Sequence, residues 1–225
     1  MSKLSKQELK EPDIFQSTVT KIADYIEENK TRFYVFATAG IAAIVIAVGI
    51  YLYWSNYQTS AMQIYTKAQN NMLQSVYNPS VADDTMDIFK ELIDKYPYSW
   101  SARMAHYHLG NIYYNMGELD NAIDSYKKFI SSVKSDEAGV KFLALTSLGY
   151  CYESRKDFKS ALEYFEKAQT TKNVGFESMG YRNIARIYEQ LNDKEKALEN
   201  YKTALEKNND AAMELFIKRK ISSLS

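Results

Sequence analysis

RMAHYHLGNIYYNMGELDNAIDSYKKFI, residues 103–130, decides how this chain reads, because it returns twice: FLALTSLGYCYESRKDFKSALEYFEKAQ from Phe142 and SMGYRNIARIYEQLNDKEKALENYKTAL from Ser178. Each copy carries at its seventh and eighth positions a large apolar residue followed by a small one (Leu109-Gly110, Leu148-Gly149, Ile184-Ala185), and a tyrosine stands three positions after the small residue (Tyr113, Tyr152, Tyr188). Nine residues beyond each tyrosine comes an alanine, Ala122, Ala161 or Ala197, and four further on an aromatic, Tyr126, Phe165 or Tyr201. Two antiparallel helices can lie close together only where small residues mark their crossing, and the aromatics then fill the space between successive pairs. The stretch therefore predicts stacked helix pairs, and self-similarity of this kind has to be settled before any other fold is considered.

The pattern resembles the tetratricopeptide repeat (TPR). His106, Leu145 and Tyr181 occupy the position where that family usually carries tryptophan, and the copies start 39 and 36 residues apart where the family period is about 34. The extra residues are assigned to longer second helices or to the loops at residues 131–139 and 170–175. A fourth, degenerate copy precedes these. Thr85, Phe89, Leu92 and Pro97 fit its second helix, and Ala61, Ile64, Tyr65, Ala68, Met72 and Val76 its first, which Asn78-Pro79-Ser80 should end. At the C-terminus Met213, Phe216, Ile217, Ile221 and Leu224 form an apolar stripe suited to capping the last repeat.

Upstream lies a segment of another kind. FYVFATAGIAAIVIAVGIYLYW, residues 33–54, carries no charge and no proline, and a helix of this length reaches about 33 Å, enough to cross a hydrocarbon core about 30 Å thick. Tyr34 at one end and Tyr51, Tyr53 and Trp54 at the other sit where headgroups would be. A cleaved signal peptide has a shorter apolar run and a small-residue cleavage site, and none follows Trp54. Residues 33–54 are read as a transmembrane helix, 1–32 as a cytoplasmic tail and 55–225 as the repeat domain. Lys21, Lys30 and Arg32 lie before the span and only Lys67 follows it closely, which orients the N-terminus toward the cytoplasm. Residues 1–13 are polar and charged. From Ile14, Phe15, Val19, Ile22 and Ile26 mark an amphipathic helix that suits either a membrane leaflet or a partner helix. Ala39, Ala43 and Ala47 line one face of the span and allow another membrane helix to approach closely.

The fold class is therefore all-α: one N-terminal span, then a TPR solenoid of about four helix pairs with a capping helix. Among the 225 residues, 19 tyrosines and 10 phenylalanines against 8 glycines and 3 prolines agree with helices packed through aromatics. Twenty-eight basic residues balance 28 acidic ones, so no broad positive field exists to collect nucleic acid. Cys151, the single cysteine, cannot form an internal disulfide.

Candidates for catalysis are few. His106 and His108 are two apart on a helix and have no ligand-spaced companions; His106 reads as packing in the tryptophan slot. Cys151 reads as an inert buried thiol. Asp83 and Asp84 suit a helix start better than an acid pair. No enzyme activity, metal or cofactor is expected. The resemblance to TPR domains implies instead a peptide-holding concave face, built from Met104, Tyr107, Asn111 and Tyr114; Leu143, Thr146, Tyr150 and Glu153; and Met179, Arg182, Arg186 and Glu189. The lysine and asparagine set with which some TPR domains clamp a terminal carboxylate is not reproduced. Aromatic and methionine side chains with a basic end suit an apolar segment or helix.

Leader, span and repeats together resemble the bacterial YfgM-like family, ancillary subunits of the Sec translocon. That resemblance implies a single-pass inner-membrane protein with a periplasmic repeat domain. Its expected partners are membrane lipid, the translocon, periplasmic chaperones and newly exported polypeptides. A structural scaffold for an envelope or cell-division complex is the alternative.

Overall fold

The computed structural model describes residues 14–75, 81–133, 139–171 and 175–225. Ten helices and no strand occur among them: α1 (Ile14–Glu28), α2 (Lys30–Ser75), α3 (Val81–Lys95), α4 (Trp100–Asn115), α5 (Leu119–Ser132), α6 (Val140–Ser154), α7 (Phe158–Gln169), α8 (Glu177–Gln190), α9 (Lys194–Glu206) and α10 (Ala211–Leu224). The chain divides into two compact units, Met1–Asn56 and Tyr57–Ser225, and α2 contributes to both.

In the first unit, Asn29 alone separates α1 from α2, and the backbone ladder continues across it: Asn29 N–H donates to the Tyr25 carbonyl and Phe33 N–H to the Asn29 carbonyl, each at 3.0 Å. The stripe of Phe15, Val19 and Ile22 is exposed. Lys30–Gln74 is long and apolar enough to cross a membrane by length and composition, with a mean hydropathy of 2.4 in its most apolar window. None of that window is buried by the chain, unlike a core helix of a soluble domain, which its own fold covers. Ala39, Ala43 and Ala47 lie on this uncovered surface.

In the second unit, α4/α5, α6/α7 and α8/α9 are the three repeats. Each turn between paired helices is built the same way. The carbonyls of Tyr113, Tyr152 and Tyr188 accept the N–H five residues on, from Glu118, Asp157 and Asp193, each at 2.9 Å. That closure needs a left-handed residue at the helix end, supplied by Gly117 (φ 78°), Lys156 (φ 60°) and Asn192 (φ 59°). Asp157 and Asp193 then cap the second helices by accepting from Ser160 N–H and Lys196 N–H, whereas Glu118 makes no such side-chain bond.

Ala122, Ala161 and Ala197 are fully buried, as are the aromatics Tyr126, Phe165 and Tyr201. The crossing tolerates nothing larger at two of the three small positions. A Cβ on Gly110 would lie 2.6 Å from the Tyr126 ring, and one on Gly149 would meet the Phe165 ring more closely still. The third pair accommodates the methyl of Ala185, itself buried. Where the degenerate first copy is expected, Ala61, Tyr65 and Ala68 of α2 share a core with Phe89 and Leu92 of α3 and Ala102, Ala105 and Leu109 of α4. Val76, the helix stop at residues 78–80, the tail 1–13 and most of the two loops expected to absorb extra residues lie outside the described residues.

The cap departs from expectation at one position. Ile217 is buried against Ala185, Tyr201 and Ala204, with Met213, Ile221 and Leu224 around it, but Phe216 is 45 % exposed. The buried stripe follows steps of four and three from Met213, and Phe216, about 100° from Ile217 on the helix, falls off it.

Candidate functional site

The residues expected to face a ligand lie on α4, α6 and α8, the first helix of each pair. All are half-buried except Thr146, which is only 3 % exposed and whose hydroxyl has no hydrogen-bond partner among the described residues. Asn111, Tyr114 and Tyr150 come together around a pocket of about 350 Å³. Met72, Asn115, Tyr126 and Ser147 complete its wall. Sequence reasoning missed these four. Tyr126 was assigned wholly to packing, yet its ring fills the helix crossing while its hydroxyl reaches the pocket and donates to Asn111 Oδ1 at 2.7 Å. Burial raises the Tyr126 phenol above its ordinary range, so it remains a donor at neutral pH.

Tyr107 packs on the rings of Tyr126 and Phe129, at 6.1 and 5.6 Å between centroids. Met104 bridges two core clusters. Leu143 and Met179 pack around Phe142, Leu145 and Ala168. These four carry the apolar character expected of the face, but each is also committed to holding helices together.

The basic end is assembled differently from its linear reading. Arg186 places Nε 2.8 Å from Glu153 Oε1 and Nη2 2.7 Å from Oε2, a two-pronged bond from α8 to α6. Its guanidinium lies 5.5 Å from the Tyr150 ring centroid, and Tyr150 Oη and Arg186 Nη1 both donate to Asn183 Oδ1, at 3.1 and 3.2 Å. Glu189 is likewise engaged by Lys220 of α10, at 2.8 Å. Arg182 makes no ion pair among the described residues. Its Nη1 donates to Met213 Sδ at 2.8 Å, and its Nε, like Asn183 Nδ2, is buried without a partner there.

His108, which had no assigned role, accepts or donates at 2.8 Å with Tyr65 Oη and stacks on Phe89 at 5.3 Å between centroids. Its signal lay in Tyr65, 43 positions away on α2, which no local spacing exposes. His106 is half-buried. Asp83 and Asp84 occupy the first turn of α3. Among the described residues no group of three or more His, Cys, Asp or Glu side chains converges to hold a metal.

Residues 30–225 match the tetratricopeptide repeat-like domain family. The chain belongs to that family. No curated protein matches it. Among solved structures, it is similar to MamA (17 % identity, TM-score 0.54, covering 66 % of this chain and 79 % of that one). It is also similar to pilF of Pseudomonas aeruginosa (16 %, TM-score 0.57, 74 % and 68 %) and to a tetratricopeptide repeat protein from Parabacteroides merdae (16 %, TM-score 0.58, 72 % and 60 %). At these identities the likeness is one of fold. The TPR fold generally serves as a protein-interaction scaffold, and its domains bind protein partners.

Proposed function

We propose that the chain is anchored in the bacterial inner membrane by residues 33–54, N-terminus in the cytoplasm, and presents its repeats on the periplasmic side to hold protein segments. One observation carries this reading. The most apolar part of α2 is uncovered by the chain, while further along the same helix Ala61, Tyr65 and Ala68 are fully or almost fully buried in the first helix pair. An uncovered apolar helix needs an apolar solvent. The family match begins at residue 30 and so takes in the whole of α2.

The face on α4, α6 and α8 supports an apolar or amphipathic segment as ligand. Arg186 is committed to Glu153, and among the described residues Arg182 meets no carboxylate, its Nη1 donating to Met213 Sδ. The resemblance to YfgM-like proteins implies the setting we propose: a chaperone-like or scaffolding partner of the translocation machinery that receives newly exported chains. A reporter fused after Ser225 tests the topology. Activity confined to the periplasm is expected; activity confined to the cytoplasm would sink the reading.

A further inference from the structure

The turn between α3 and α4, Tyr96-Pro97-Tyr98-Ser99-Trp100, presents two large aromatics to solvent: Tyr98 is 74 % exposed and Trp100 44 %. Scattered surface aromatics need no explanation, but the placement of these two is fixed by α2. Tyr98 N–H donates to Tyr57 Oη at 3.2 Å, and Trp100 N–H donates to Gln58 Oε1 at 3.1 Å. The Tyr57 ring packs on Tyr96 at 5.1 Å between centroids, and the Trp100 indole packs edge-on against Tyr65 at 5.6 Å. Ser99, buried, locks the corner by capping α4 through Ala102 N–H at 2.9 Å.

Tyr57 follows Trp54, the last residue of the apolar run, by three positions, and three residues of chain reach at most about 10 Å in any conformation. Tyr57 and Gln58, which hold the corner, therefore follow the apolar run directly in the chain. The corner's chemistry suits a membrane interface. From Tyr96 to Ala102 the corner carries no charge, and α2 carries none from Phe33 to Thr66, so neither surface forces an ionised group out of water. Tyrosine and tryptophan, with an apolar body and one polar tip, are the side chains that settle at headgroup depth.

We infer that the α3–α4 corner is a second membrane contact, in which Tyr98 and Trp100 enter the lipid interface. The inference rests on the membrane reading of residues 33–54. It gives the repeat domain a seat on the bilayer in addition to its covalent anchor.

The chain has two tryptophans, and each can be watched alone. The full-length W54F and W100F proteins are reconstituted into phosphatidylcholine–phosphatidylglycerol vesicles containing lipid with a nitroxide at the headgroup. Trp100 in W54F should lose emission to the nitroxide to an extent comparable with Trp54 in W100F, and should be shielded from aqueous iodide. Adding Y98E to W54F should weaken the nitroxide effect. Quenching of Trp54 without quenching of Trp100 overturns the inference and leaves the anchor standing. Quenching of neither overturns the anchor as well. Circular dichroism of W54F, in which the corner is unaltered, checks that the helices are intact.

Discussion

The guanidinium of Arg186 forks onto the carboxylate of Glu153 and so fastens α8 to α6 on the face where a ligand is expected. Both side chains keep some solvent contact, 36 % and 24 % exposed, so the pair contributes modestly. E153Q should lower the unfolding free energy by about 1 kcal/mol. Urea denaturation of the detergent-solubilised protein measures this, and an unchanged midpoint would contradict it.

The helix crossings should be less forgiving. G110A or G149A pushes a methyl into the ring of Tyr126 or Phe165, and overpacking of this kind costs about 1–3 kcal/mol. The third pair already holds Ala185 there, so A185G should cost only about 0.5–1 kcal/mol through backbone freedom. Thermal unfolding of the three variants tests the order.

Burial holds the imidazoles of His106 and His108 below their ordinary pKa. The unfolded chain therefore takes up protons before the folded one does. Stability should be intact above about pH 6.5 and fall as the pH drops below it. H108Q, uncharged at every pH, should show a smaller loss of Tm between about pH 7.5 and pH 5.5 than the parent protein. An equal loss in both would assign the effect to other groups.

Cys151 is fully buried among the helices, and burial pushes its thiol up to about 11. A disulfide reagent at neutral pH should leave it unlabelled in the folded protein and label it fully in urea. Rapid labelling of the folded protein would show that α6 opens readily.

What the sequence disclosed and what it withheld follow one physical line. Gly110, Ala122 and Tyr126 recur at fixed offsets because a crossing of two helices within one repeat dictates them, so the pairs, the degenerate first copy and the cap could be read locally. Glu153 with Arg186, Tyr150 with Asn183 and Tyr65 with His108 join helices 33 to 43 residues apart. Which of these side chains meet depends on how one repeat is rotated against the next, and no periodicity states that rotation. Thr146 shows the same limit. Its slot in the repeat places it on the first-helix face, yet Leu145 and Thr146 are both buried because α6 packs against neighbours on more than one side. Tyr126 carries two roles, and the repeat pattern revealed only the one that its ring performs.

The most direct test of a partner-holding face is site-specific photocrosslinking in living cells from Tyr114 and Tyr150, which line the pocket, with Lys202, exposed on α9, as the control. Adducts to many exported polypeptides from positions 114 and 150, and few from 202, are the predicted result. A single stoichiometric adduct would favour the scaffold alternative, and equal yields from all three positions, or none from 114 and 150, would contradict a binding face on the first helices.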